Sequence, residues 1–495
     1  MHKDSSEFGS VMKRGVMVNP KWFLVFILLL NLFLALYSTP ITNYGDAGSY
    51  IGFGKLLSGE GQGDFAHRSP LYPLILAVFM SVIPQAIFFK FIVFFQYFLV
   101  GLTTWLVCLI FKPLFDRKEW AMLVGLCFNL SLSTIYYANI FLTEILTVFL
   151  LCLSLYILFK IYDKYSIRNA VLLGLVLGLL SLARFNTVPL IVPFLLLLLV
   201  LFIHQKIPFS KSAGILVSFF ATCLIVINIW CYYNFVTHEF YGLFPGSGSN
   251  VPRNAVVASI RPDDAVSEEN RVILDIFLRA RQSYLSEQYS APKGSLSSFD
   301  KWGLLDDLYS GYAIYGRAMP DLKKHLNLTD DVNESAMGQW LVNFYNEIYN
   351  QNKAFIMKMR FLSFLSSFRA SASALPGEFG KINTNILPAY LFKIFKLFVL
   401  LVSMFVFFSF FIFIFQALKD KSGFNFRLFV LFIIVFSFWG INFYFVTGAD
   451  ANRFKFPAEP LIFGLFVYYF HKGTFWLSRK CYPKKILIST NKTRP

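Results

Sequence analysis

The stretch Leu397-Phe-Val-Leu-Leu-Val-Ser-Met-Phe-Val-Phe-Phe-Ser-Phe-Phe-Ile-Phe-Ile-Phe415 carries no charge and no proline or glycine. A helix needs about 20 mostly apolar residues to cross a hydrocarbon core. In lipid, every backbone donor and acceptor must be satisfied within the spanning structure, which leaves helices or closed barrels. The run is continuously apolar and does not alternate with period two, so it reads as a membrane helix. The rest of the 495-residue chain follows suit. It is 56% hydrophobic, only 15% charged, and contains 60 Phe. These values exclude an ordinary soluble globular protein.

Ten spans are expected, roughly 22–38, 86–111, 119–137, 140–162, 169–184, 187–204, 212–233, 390–416, 428–446 and 456–470. The shorter apolar stretch Leu71 to Ile83 allows a tilted or re-entrant helix and leaves a range of 10–12 crossings. The expected class is an all-α polytopic bundle with juxtamembrane helices and a mostly helical outer loop domain. With the N-terminus inside, the cytoplasmic segments hold 22 Lys+Arg against 6 Asp+Glu, whereas residues 234–388 hold 15 against 16. The positive-inside rule therefore absorbs the formal charge of +17, and no nucleic-acid partner is needed. Membrane lipids suffice as partners for the basic tail.

The expected organisation is a cytoplasmic N-terminus (1–21), then an N-terminal membrane module (22–233) whose first outer loop is 39–85. An extracytoplasmic loop domain (234–388), C-terminal membrane helices (389–470) and a basic cytoplasmic tail (471–495) follow. Within 234–388, Trp340, Phe344, Ile348 and Phe355 mark an amphipathic helix expected to lie on the membrane or the bundle. None of the six cysteines lies in that loop, and no spacing makes a zinc site.

Charged residues at membrane depth are functional by default. Asp46, Arg68, Glu144, Arg184 and Arg453 all fall at the outer ends of the expected spans. Asp46 opens a short run in which Tyr50, Phe53, Leu56 and Leu57 share a face, as in an interfacial helix. The bland reading of Asp46 is a helix cap; the sharper one is a general base. Arginine binds phosphate in planar, bidentate geometry, so Arg68, Arg184 and Arg453 point to a phosphate or pyrophosphate at the outer leaflet. Glu144 stands between a structural pair with Arg184 and contact with substrate. Tyr50, His67, Tyr72 and Lys455 are further candidates, each with a structural alternative.

The pattern Asp46 with Tyr50, then Arg68-Ser-Pro-Leu-Tyr-Pro73, resembles the first outer loop of the polyprenyl-phosphate-sugar-dependent glycosyltransferases of the GT-C superfamily. Leu142-Thr-Glu144, Gly174-Leu-Val-Leu-Gly178 leading to Leu182-Ala-Arg184, and Arg453-Phe-Lys-Phe-Pro457 extend the likeness. The nearest branches are bacterial protein mannosyltransferases and lipid A aminoarabinose transferases. The resemblance covers about residues 20–235 and 390–470. It implies a GT-C bundle in the cytoplasmic (inner) membrane with its active site on the extracytoplasmic side. It also implies a polyprenyl-phosphate-linked sugar donor, a glycan, lipid or protein acceptor, and Asp46 as catalytic base. Ala47 stands where many members carry a second acid, so the metal is unknown: a divalent ion stays open, and no other cofactor is implied. Two rival classes are a transporter or flippase for a lipid-linked solute, expected to carry mid-membrane charges and paired repeats, and a polysaccharide polymerase or O-antigen ligase.

Overall fold

The computed structural model describes residues 20–42, 46–61, 68–243, 253–290, 306–328, 341–366, 368, 386–419, 425–445 and 455–481. Among these the regular structure is helical, with one isolated parallel bridge between Ile41 and Ile140. The N-terminal membrane module comprises α1 (Pro20–Tyr37), α2 (Ala47–Leu57), α3 (Leu71–Val82), α4 (Gln85–Phe111), α5 (Lys118–Asn129), α6 (Leu132–Tyr137), α7 (Glu144–Asp163), α8 (Ile167–Ala183), α9 (Ile191–His204) and α10 (Phe209–His238). The outer loop supplies α11 (Arg253–Ser259), α12 (Glu268–Ser290), α13 (Asp306–His325), α14 (Val342–Gln351) and α15 (Lys353–Ser366). The chain returns to the bundle through α16 (Ile386–Lys419), α17 (Phe426–Phe445) and α18 (Glu459–Cys481).

Among the described residues, each expected span falls largely on helix. Five described helical stretches are long and apolar enough to cross a membrane: 85–114, 144–163, 185–204, 209–237 and 394–419. Shorter apolar helices cover 21–37, 71–82, 167–183 and 426–441. The expected span 119–137 is not one helix. It breaks at Leu130 and Ser131, where the extended Ser131 caps α6 by accepting from the Thr134 N–H at 3.1 Å. A serine that can bond a nearby backbone donor offers the chain an alternative to continuing the helix. Pro70 sits immediately before α3, at its N-cap position.

Apolar side chains of the membrane helices are exposed where lipid is expected. Phe26, Leu29, Phe33 and Leu36 of α1 are exposed, as are Leu401, Phe405, Phe408 and Ile412 of α16. The inward faces of α4, α7 and α8 join those of α17 and α18 in one core. Helices α8 and α10 approach closely through Gly174 and Gly178. A Cβ at Gly174 would strike the Phe219 carbonyl oxygen, and one at Gly178 the Val226 side chain. Small residues four apart let helix backbones meet in membranes.

At the end of the bundle opposite the polar cluster, Arg427 pairs with Asp163 and lies over the Phe159 and Tyr162 rings. That contact holds the last turn of α7 to the first turn of α17.

The outer loop has its own core, built from Val256, Phe277, Tyr315, Phe344, Ile348 and Met359 among others. This corrects one expectation: Phe344 and Ile348 of α14 face the loop domain's own interior, not the membrane or the bundle. Phe355 packs partly on the same core, and Trp340 lies outside the described residues.

Candidate active site

Two chain segments are tied together at one end of the bundle, opposite Asp163 and Arg427, before any functional residue enters. The Ile41 N–H donates to the Asn139 carbonyl at 2.8 Å, and the Gln96 amide donates to the Ile140 carbonyl at 3.0 Å. Ser38 and Asn139 both hydrogen-bond the Tyr97 hydroxyl, at 3.0 and 3.2 Å. The Lys90 ammonium donates to the carbonyls of Leu36 and Ser38 at 2.9 and 2.6 Å, closing the C-terminus of α1 as a cation should. The run toward Asp46 and the run toward Glu144 are therefore fixed to each other.

Asp46 stands at the N-cap position of α2, yet its side chain makes no capping hydrogen bond. Its carboxylate meets Arg68 instead, at 2.9 Å. The Arg68 guanidinium also lies 5.6 Å from the centre of the Tyr50 ring, within cation–π range. Tyr50 in turn meets Tyr72 edge-on, with centroids 5.9 Å apart and planes at 86°. α2 is held down by its apolar face, where Phe53 packs with Leu182 and Trp230 near the C-terminal ends of α8 and α10.

The second half of the cluster is buried. Arg184 and Glu144 pair at 3.2 Å, with side chains 7% and 0% exposed. Glu144 is the first residue of α7, where the helix dipole favours an anion. Arg184 follows α8 in an extended conformation, and its carbonyl accepts from the Thr187 hydroxyl at 2.7 Å. Tyr72, fully buried on α3, lies within electrostatic range of both Glu144 and Tyr50. Its hydroxyl has no hydrogen-bond partner among the described residues. Contacts thus join Asp46, Arg68, Tyr50 and Tyr72, and Glu144 with Arg184 forms a second pair within electrostatic range of Tyr72.

Lys455 and Glu459 sit on the turn entering α18, both buried. The short 3-10 turn Phe456–Ala458 packs on α7, and the Phe456 ring lies 4.7 Å from that of Tyr137. Burial pulls the Lys455 ammonium down to about 8, against the opposing pull of Glu459. His67 and Arg453 lie outside the described residues. The scaffold residues Lys90, Gln96, Tyr97 and Asn139 were not anticipated. Their one signal is polarity inside or beside an otherwise apolar run. Among the described residues, no group of three or more His, Cys, Asp or Glu could hold a metal ion.

The fold and this cluster define a multi-pass, all-helical membrane protein with a polar site at one end of its bundle. Residues 67–233, about a third of the chain, match the family model described as dolichyl-phosphate-mannose-protein mannosyltransferase. The match falls on the membrane module that carries Arg68, Tyr72, Glu144 and Arg184. Among solved structures, the chain is similar to a Saccharomyces cerevisiae protein O-mannosyltransferase Pmt1-Pmt2 complex bound to the sugar donor. The identity is 15% and the TM-score 0.37, over 53% of this chain and 39% of that one. No curated protein matches in sequence.

Proposed function

We propose that this protein transfers a sugar from a polyprenyl-phosphate donor to an extracytoplasmic acceptor, a glycolipid, polysaccharide or protein, in the inner membrane. The acceptor hydroxyl attacks the anomeric carbon, the bond from that carbon to the phosphate oxygen breaks, and the hydroxyl proton passes to Asp46. The displacement inverts the anomeric centre. The leaving phosphate needs cations rather than a proton, because charge develops on it as the bond breaks. Arg68, Arg184, Arg453 and Lys455 are assigned that role. An arginine carries five donors, so a guanidinium already paired with a carboxylate can still bind phosphate.

One observation carries the reading. Asp46 begins a helix without capping it, and its carboxylate is held by Arg68 while remaining 35% exposed to an incoming hydroxyl. A transporter fits less well, because the ion pairs at Asp46 and Glu144 sit at helix starts rather than at mid-membrane.

Asp46→Asn is the test, in purified protein with a polyprenyl-phosphate sugar and a competent acceptor. It preserves shape and removes basicity, so turnover should fall by roughly a hundredfold or more while folding persists. Asn caps helices about as well as Asp. Near-normal turnover would therefore return Asp46 to a purely structural role.

A further inference from the structure

Helix α15 joins two cores. Its Ile356 and Met359 belong to the interior of the outer domain. Phe364 at its far end and Phe368 just beyond it belong to the bundle, where Phe368 stacks on Trp439 of α17 at 4.6 Å and meets Phe407 of α16 at 5.6 Å. Trp439 lies six residues before the last described residue of α17, about 9 Å along the helix at 1.5 Å per residue. The chain leaving α15 therefore docks between two membrane helices below their outer ends.

A third face of α15 is uncovered. Met357, Phe361 and Leu365 are 48%, 53% and 46% exposed. Their spacing of four residues makes one stripe along the helix. It begins at Leu365, next to the docked Phe364, and runs about 12 Å outward to Met357. Lys353 and Lys358 are exposed beside it. An apolar stripe flanked by lysines, starting where a helix meets membrane spans, has the make-up of an interfacial helix.

We propose that α15 lies in the outer leaflet of the bilayer, with Met357, Phe361 and Leu365 among the acyl chains and Lys353 and Lys358 at the lipid phosphates. The occupant of this face is bulk phospholipid. The outer domain is then anchored at the membrane surface by its own helix as well as by its chain ends. This inference rests on the membrane fold and holds whatever reaction the protein catalyses.

Spin labelling in nanodiscs tests it. The full chain would carry Cys127→Ser and Cys481→Ser, the remaining cysteines among the described residues being buried. Single labels would be placed at Phe361→Cys, at Met357→Cys and, as an aqueous reference, at Asp275→Cys on the exposed face of α12. Labels at 361 and 357 should be relaxed by oxygen in preference to a water-soluble nickel chelate, at depths of about 5–10 Å below the headgroups. The label at 275 should show the reverse preference. Nickel access at 361 and 357 equal to that at 275 would overturn the proposal. Shielding of both positions from both relaxants would overturn it too, by showing that protein, including a second copy of the chain, covers the stripe.

Discussion

At Glu144 and Arg184 a carboxylate and a guanidinium are withdrawn from water together, and each depends on the other. Removing one partner of a buried ion pair weakens the compensation of the charge that remains, at a cost of up to about 3–5 kcal/mol. Glu144→Gln should accordingly lower the yield of folded protein and its melting temperature in detergent, whereas Glu144→Leu with Arg184→Leu should recover much of both. Full stability with lost turnover in Glu144→Gln would instead make Glu144 a substrate contact. Lys455 gives a pH prediction. Its ammonium ordinarily titrates at 10.5, and burial brings it down to about 8 despite Glu459. As pH rises through 8 the cation is lost, so donor turnover should decline there. Lys455→Arg, which stays charged, should move that decline upward; an unchanged pH profile would remove Lys455 from donor binding. The residue types of this cluster were legible because charges are rare at membrane depth. Their pairing was legible only in part. Glu144 with Arg184 follows from two opposite charges at one level, but nothing in the sequence distinguishes Asp46 held by Arg68 from Asp46 capping α2. Lys90, Gln96, Tyr97 and Asn139 escaped notice because single polar residues in apolar helices declare their partners only in three dimensions.

The helices themselves were legible because hydrophobic length is a strong signal for a membrane span. What length could not give was the break between α5 and α6, which depends on one serine hydroxyl finding the Thr134 N–H. Packing between spans was half legible: Gly174 and Gly178 stand four apart in an apolar helix, but their partner α10 is separated by the whole of α9. The close approach makes a prediction at this scale. Gly174→Val forces a side chain against the Phe219 carbonyl, which is backbone and cannot rotate away. Overpacking of this kind costs about 1–3 kcal/mol, occasionally more, so the variant should unfold at lower temperature in detergent. Gly48→Ala on α2 is the matched control, since nothing lies within 4 Å of the added Cβ. Relieving a helical glycine should leave stability unchanged or raise it by up to about 1 kcal/mol. Equal melting temperatures for Gly174→Val and the parent would mean that α8 and α10 do not pack through these glycines.

On the scale of the whole molecule, two cores divide the work: a bundle that presents the polar cluster at one end, and a helical domain with its own interior. Periodicity marked α14 as amphipathic but could not say what its apolar face met. That face turned inward because α11, α12 and α13 supply a core for it, and it is α15 that carries the uncovered stripe. The direction of the chain through the membrane is also a whole-molecule property. The helix ends alternate consistently: Glu144 begins α7 beside the end of α8 at Arg184, while Asp163 ends α7 beside the start of α17 at Arg427. The described connections at the end of Asp163 and Arg427, 112–119, 160–168 and 204–211, hold 8 Lys+Arg against 3 Asp+Glu, and basic loops stay in the cytoplasm. We therefore propose that both termini are cytoplasmic and that the cluster of Asp46, Arg68, Glu144 and Arg184 faces out with residues 234–388. A cysteine at Asp275, exposed on α12 in a segment without native cysteines, should react with a membrane-impermeant maleimide in cells whose inner membrane is intact. A cysteine at Lys206, in the short basic connection between α9 and α10, should react only after that membrane is permeabilised. The opposite pattern would turn the molecule over in the membrane, put the candidate site in the cytoplasm, and remove the extracytoplasmic acceptor from the proposed reaction.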